Sequence, residues 1–212
     1  MTSEIILKEI NKRFGDKVLF ENFSLDIQSG EFLSIMGASG TGKTTLLNII
    51  GMLDIPDSGK LIIRGHENPR FSSRTSNLLR RYDISYLFQN YGLIDAESVV
   101  ENIRIATRFK KFSKQEERAA IAAALKKLGL QGFESKKIYT LSGGEQQRVA
   151  LAKILVKSPM IILADEPTGS LDVDNRDYIM QMLQELNDEG KTIVVVSHDP
   201  KVTQWAKKHL YI

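Results

Sequence analysis

Cysteine is missing from all 212 residues of the chain. Disulfides and thiolate metal sites are therefore excluded, and the composition suits a compartment such as the cytosol. Also missing is any apolar stretch near the roughly 18 residues needed to span a bilayer, so work at a membrane would call for a separate spanning subunit. Met1-Thr2-Ser3-Glu4 does not have the charged-then-apolar layout of a secretion signal. Neither sign of charge dominates: 29 Lys and Arg against 26 Asp and Glu leave +3, too small an excess to point to nucleic acid or a membrane surface. Internal repeats, linkers and low-complexity segments are absent. What is present is ordinary for a globular chain, 42% hydrophobic and 26% charged, with length for one large domain or a domain with a lobe.

One stretch organises the rest. Glu31-Phe32-Leu33-Ser34-Ile35-Met36 reads as a short buried strand, and Gly37-Ala38-Ser39-Gly40-Thr41-Gly42-Lys43-Thr44 follows it, matching the pattern G-x-x-x-x-G-K-[ST]. Thr45-Leu46-Leu47-Asn48-Ile49-Ile50 then continues as helix until Gly51. Strand, glycine loop and helix in that order aim backbone N–H groups and a helix N-terminus at one point. A Cβ in the loop would block close approach of a phosphate and forbid positive-φ turns. Lys43 supplies a point charge for β- and γ-phosphates, and the Thr44 hydroxyl a Mg²⁺ ligand.

Around this stretch the spacing predicts an α/β chain. Residues 4–36 read as short strands of an antiparallel lobe, with turns at Phe14-Gly15-Asp16 and Gln28-Ser29-Gly30; Leu61-Ile62-Ile63 joins them. Residues 66–82 read as loop with some helix, and Ile84-Ser85-Tyr86-Leu87-Phe88 as a buried strand. From 98 to 130 the pattern is helical, with a capping box at Ser113 and Glu116, a stripe of Ile121, Ala124, Leu125 and Leu128, and a stop at Gly129. The uninterrupted runs Ile161–Ala164 and Thr192–Val196 suit strands covered on both faces, as in a parallel sheet. Between them Ile179, Met182, Leu183 and Leu186 mark an amphipathic helix closed by Gly190.

Two further stretches carry chemistry. Asp165 and Glu166 end the first of those runs, placing two carboxylates at a strand tip. An acidic pair capping a helix is the plain alternative. Beside a phosphate loop, Asp165 is the expected partner of Mg²⁺, and Glu166 the group that orients or deprotonates an attacking water. In Leu141-Ser142-Gly143-Gly144-Glu145-Gln146-Gln147-Arg148, Ser142 and Glu145 form a capping box. The box leaves two consecutive glycines unexplained, because they weaken a helix start unless backbone must meet something closely. A serine hydroxyl, bare N–H groups and a helix N-terminus make a second phosphate site.

Taken together, the Walker A stretch at 37–44, Leu-Ser-Gly-Gly-Glu at 141–145, the Walker B stretch at 161–166 and Ser170-Leu171-Asp172 resemble an ABC-type ATPase subunit over nearly the whole chain. The resemblance implies a P-loop NTPase core with a mainly parallel sheet, an antiparallel β lobe and a helical lobe bearing the signature. It implies one ATPase domain over 1–212, with the β lobe and core at about 1–88 and 158–212 and the helical lobe at about 89–157. ATP and Mg²⁺ are the implied ligands. Gly37, Ser39, Gly40, Thr41, Gly42, Lys43, Thr44 and Thr45 would hold the phosphates, and Thr44, Gln89 and Asp165 the metal. Phe14 sits where the family stacks an aromatic on adenine, with Val18 as a further nucleotide contact; packing inside the β lobe is the alternative for Phe14. Lys43, Gln89, Glu166 and His198 are the implied catalytic set, Gln89 as sensor of Mg²⁺ and water and His198 as the γ-phosphate switch.

The same resemblance implies that Ser142, Gly143 and Gly144 serve a nucleotide held by a facing subunit, with Asp172 at the seam and a dimer that closes on ATP. A permease would hold the pair on the inner face of the membrane. The overall pattern is similar to ATPases of the macrolide-export and lipoprotein-release type, whereas the loop Phe88–Asp95 is more like a lactococcin 972-type bacteriocin-export subgroup. Tyr139 and Lys153 differ from the commonest family residues. Tyr91, Leu93 and Ile94 are candidates for the permease groove, or else pack the helical lobe. An ATPase driving a membrane signalling or cell-wall machine is an alternative function. A soluble ATPase acting on nucleic acid is a further one, but no nucleic-acid partner is expected.

Overall fold

The computed structural model describes residues 2–69, 72–169 and 171–212. The chain opens with a long hairpin, β1 (Ser3–Phe14) and β2 (Lys17–Gln28), turning at Gly15 with φ +56°. A short strand, β3 (Phe32–Met36), leads through the glycine loop into α1 (Lys43–Ile50). β4 (Ser58–Ile63) returns to pair with the free edge of β1, and β5 (His66–Glu67) pairs with β4. These strands make an antiparallel sheet in the order β2-β1-β4-β5, which includes Leu61–Ile63 as expected.

Phe32–Met36 leaves that lobe, contrary to the sequence grouping. β3 lies between β8 (Thr192–Val196) and β9 (Lys208–Tyr211), parallel to both. Beyond β8 come β7 (Ile161–Asp165) and β6 (Ile84–Leu87), so the parallel sheet runs β6-β7-β8-β3-β9. The reason is burial: Phe32, Leu33, Ser34 and Ile35 are all buried, which a one-sided antiparallel lobe does not offer.

Strand alternation sorts this sheet into two cores. Ile161 and Leu163 of β7, with Val194 and Val196 of β8, join Leu33 and Ile35, α1 and the inner face of the antiparallel sheet. Ile162, Ala164, Ile193, Val195 and Phe32 face the opposite way, toward the helices. Burying each such Ile, Leu or Val contributes roughly 1.5–3 kcal/mol before entropy is subtracted.

The polar stretch after β5 holds α2 (Arg74–Leu78) and a π-helical turn, Leu79–Asp83. The helical stretch after β6 divides into α3 (Val99–Thr107) and α4 (Lys114–Lys127). Ser113 and Glu116 form the expected capping box of α4. Asn102 is fully buried and ties α3 to the preceding loop by bonds to Ile94 N (2.7 Å) and Ile94 O (3.1 Å). α5 (Gly143–Lys157) packs on α3 and α4, α6 (Val173–Asp188) covers the sheet, and α7 (Pro200–Thr203) precedes β9. Among the described residues no helix is long and apolar enough to cross a membrane.

Candidate functional site

Four strand ends and two turns converge on the glycine loop. Gly37 has φ +153°, and a Cβ there would lie 2.0 Å from Ile212 O, so only glycine fits where the loop leaves β3 beside β9. Gly42 is the N-cap of α1 at φ +105°, and its added Cβ would meet the Phe20 ring at 2.9 Å. No side chain caps α1, and its first turn holds no acidic residue, so its positive end is not neutralised locally. Lys43 is buried, and its ammonium folds back to donate to Gly37 O (2.9 Å) and Ala38 O (2.8 Å). Thr44 Oγ1 donates to Asp165 Oδ1 at 3.1 Å, joining the loop to the tip of β7. Burial pushes the Asp165 carboxyl above its ordinary range, while the Thr44 hydroxyl opposes that shift.

One residue further on, Glu166 stands in the left-handed region at φ +44°, a conformation that costs a non-glycine residue about 1–3 kcal/mol. Its N–H donates to Val196 O at 2.9 Å, which pins this turn to the end of β8. Its carboxylate accepts from Ser197 Oγ (3.1 Å) and from His198 N (3.1 Å), and lies 2.8 Å from His198 Nδ1. Gln89 follows β6 in a turn that folds back on itself: Tyr91 and Gly92 have φ of +64° and +59°. Gly92 lies under the Phe88 ring, which stacks on Tyr86 with centroids 4.4 Å apart. Lys153 braces this turn by donating to Gly92 O at 2.7 Å.

These pieces line a cleft of about 480 Å³. Phe14, Ser39, Gly40, Gly42, Lys43, Thr44, Thr45, Gln89, Glu166 and His198 all lie on its wall. Phe14 does not pack into the β lobe; it is 55% exposed, with the Lys12 ammonium 4.9 Å from its ring. Gly37, Thr41 and Asp165 support the loop from behind, Thr41 Oγ1 donating to Ala38 O at 3.0 Å. Val18 is not on this wall. Alternation along β2 sends Lys17 and Leu19 to the cleft and Val18 to a separate hollow with Arg13 and Phe20. Lys17 Nζ also donates to Gly40 O at 2.8 Å. Sequence reading missed Lys17 and Leu19, although two-residue alternation counted from the Gly15 turn would have found them.

Ser142, Gly143 and Gly144 do not line this cleft. They form the tip of α5, where Ser142 and Glu145 make the expected capping box with bonds of 3.3 and 2.7 Å. The two glycines have a reason inside the chain. A Cβ on Gly143 would lie 2.8 Å from Tyr91 Oη, and one on Gly144 would lie 2.5 Å from Asn175 Oδ1. Asn175 belongs to a relay: Asp172, the N-cap of α6, accepts from Asn175 N and Nδ2, and Asn175 Oδ1 accepts from Arg148 Nη1 at 2.6 Å. The Asp172 carboxyl is held below its ordinary range chiefly by the Asn175 N–H. Gln147, also on α5, donates to Pro167 O in the turn after Glu166. Ser170 of the Ser-Leu-Asp stretch lies outside the described residues.

The family profile described as ABC transporter matches residues 20–169, well over half of the chain. The chain belongs to the ABC transporter family. It is the ATP-binding ATPase cassette of that family, and its two-sheet fold is the cassette fold. Among curated relatives the cassette is 41% identical over 208 residues to the macrolide export ATP-binding/permease protein MacB of Campylobacter jejuni, covering 98% of this chain and 32% of that protein. The chain thus spans about a third of the length of the macrolide-export relatives it matches. An uncharacterized ABC transporter ATP-binding protein of Methanocaldococcus jannaschii, MJ0796, is 41% identical over 217 residues, covering 98% of this chain and 92% of that one. The solved dimeric MJ0796 cassette, in a post-hydrolysis state with ADP and Pi, matches the present fold with a TM-score of 0.89 at 39% identity, covering 98% of this chain and 94% of that chain.

Proposed function

We propose that the cassette binds Mg-ATP in the glycine-loop cleft, hydrolyses it across a closed dimer, and so powers a membrane permease. The observation that carries this reading is the convergence of Phe14, Lys43, Thr44, Gln89, Glu166 and His198 on one cleft, from turns far apart in sequence. Phe14 supplies a stacking face, and the uncapped start of α1 with Lys43 supplies N–H groups and charge for phosphates. Asp165, Thr44 and Gln89 offer a carboxylate, a hydroxyl and an amide. These are hard oxygen donors, too few to hold a cation alone but suited to Mg²⁺ that is shared with substrate phosphates. Asp165 is partly buried, with the Thr44 hydroxyl as its hydrogen-bond donor and the Lys43 charge near by, and its burial beside Glu166 favours a cation there. When bound, Mg²⁺ neutralises developing phosphate charge. Glu166, anchored by Ser197 and His198, accepts a proton from the attacking water, and the His198 ring turns toward the γ-phosphate.

In this reading Ser142, Gly143 and Gly144 act on a nucleotide held by a second copy, because the three lie away from their own cleft and Ser142 is exposed. The dimeric MJ0796 structure supports a symmetric pairing of two such cassettes. We assign the whole chain to one ATPase domain, with residues of about 89–157 as its helical lobe. For the permease, Tyr91 and Leu93 pack against the helical core and Ile94 is exposed, so Ile94 is the contact retained from that trio. Lys153, which donates to Gly92 O in the same loop, joins Arg80, Arg81, Ile105, Phe109 and Lys157 around a hollow of about 300 Å³, where a permease segment would lie. Likeness to macrolide-export proteins favours export of a peptide, lipid or drug-like cargo, with the cassette on the cytoplasmic face of the membrane.

Sedimentation velocity of the Glu166→Gln variant tests the reading. Addition of Mg-ATP is expected to shift it from monomer to dimer, whereas a monomer at saturating Mg-ATP would refute the shared-site mechanism.

A further inference from the structure

We infer that Ser197 is a positioning residue for the hydrolytic reaction, holding the Glu166 carboxylate at the angle from which it takes a proton from water. The inference rests on the assignment of Glu166 as the general base.

The terminal torsion of a glutamate is broad, so its carboxylate plane is set by hydrogen bonds and not by rotamer preference. In this cleft the two oxygens are held differently. Oε1 accepts from the His198 backbone N–H at 3.1 Å and meets the His198 ring at 2.8 Å. Oε2 accepts from Ser197 Oγ at 3.1 Å. The His198 side chain is 73% exposed, so its ring is free to leave for another partner. Ser197 is 1% exposed and stays.

The direction of the Ser197 bond follows from its other partner. A hydroxyl has one proton to give. Asp199 N donates to Ser197 Oγ at 3.1 Å, which occupies an oxygen lone pair and leaves the hydroxyl proton for Glu166. Asp199 is itself fixed as the N-cap of α7, accepting from Lys201 N at 2.8 Å. Ser197 N in turn donates to Ile35 O at 3.3 Å, one residue before the end of β3. The hydroxyl is thus mounted on the sheet end and aimed at one oxygen.

Positioning makes a kinetic prediction that packing does not. Ser197→Ala is expected to lower kcat about 10- to 100-fold, the range for a misaligned catalytic group, with ATP affinity measured on the isolated cassette unchanged within about twofold. Ser197→Cys, similar in size but a weak donor, is expected to lose as much as Ser197→Ala, whereas Ser197→Thr restores kcat to within about threefold. Three results would overturn the proposal. The first is kcat within twofold of the parent in Ser197→Ala. The second is an equal loss of nucleotide affinity in that variant. The third is a Thr variant that unfolds at the parent temperature yet turns over as slowly as Ala. Glu166→Gln, measured alongside, separates the two ideas. If it hydrolyses ATP at the parent rate, the general-base assignment falls; if it is inactive while Ser197→Ala is unimpaired, only the role of Ser197 falls.

Discussion

The glycine loop and the tip of α5 are made from the same materials, glycines beside a helix N-terminus, and put them to opposite uses. At α1 the cap is Gly42, and no side chain bonds the first-turn N–H groups. At α5 the Ser142 hydroxyl accepts from Glu145 N and the Glu145 carboxylate accepts from Ser142 N, a reciprocal box closed within the chain. The glycines differ too. Gly37 and Gly42 are needed for their backbone angles, with Ile212 O and the Phe20 ring close by, whereas Gly143 and Gly144 leave room for the side-chain ends of Tyr91 and Asn175. One region is fitted to surround a ligand by itself; the other is fitted to its own neighbours and presents an exposed serine outward.

The largest expected effect removes the first region alone. Lys43→Ala should lower ATP affinity more than about 100-fold, measured by equilibrium binding, because a charge-assisted phosphate contact is lost. Near-normal binding would mean that the loop does not grip phosphate. Next, Glu166→Gln should bind ATP normally but hydrolyse it about 100- to 1,000-fold more slowly in a single-turnover assay, in line with loss of a general base. A smaller effect would break the comparison from the other side. Gly144→Ala keeps helical angles but drives a methyl into the Asn175 side chain, which must leave its bonds to Asp172 and Arg148. ATP-driven dimerisation in a Glu166→Gln background should weaken about tenfold while monomer ATP affinity stays within about twofold, a coupling worth about 1.4 kcal/mol. Equal losses in both would show that the two regions are not separable.

The smallest effect concerns the far end of α5. Burial holds the Lys157 ammonium down to about 8 from 10.5, while its Nζ donates to the carbonyls of Arg80 and Ile84. Between those two values the unfolded chain binds a proton that the folded chain does not. Stability from this group therefore rises with pH across the window and is lost as pH falls through it. Lys157→Met should flatten that slope by about 1 kcal/mol in urea titrations at pH 8 and pH 10, after discounting for solvent contact.

Much of this arrangement was legible in the residues because it is local. The capping boxes at Ser113 and Ser142, the buried runs of β7 and β8 and the strand–loop–helix order around Lys43 are short-range patterns, and each formed as read. An apolar run of five residues does not declare its partners, so sequence order groups Phe32–Met36 with the antiparallel lobe while burial sets β3 in the parallel sheet. The resemblance names Val18 as a nucleotide contact, and strand alternation sets it in the hollow next to the cleft wall that Lys17 and Leu19 line. Asn175 carries no sequence signal, since its role depends on the crossing of α5 and α6.

By itself the sequence determined the chemical inventory: a loop only glycine can make, a lysine and threonine behind it, a carboxylate pair at a strand tip and a serine at a helix start. Tertiary structure alone decided which of these meet. It drew Phe14, Gln89, Glu166 and His198 into one cleft, left Ser142 outside it, and set Ser197 against Glu166. The physical reason is that parallel strand order and helix crossing are fixed by burial between distant segments, and no local pattern records that.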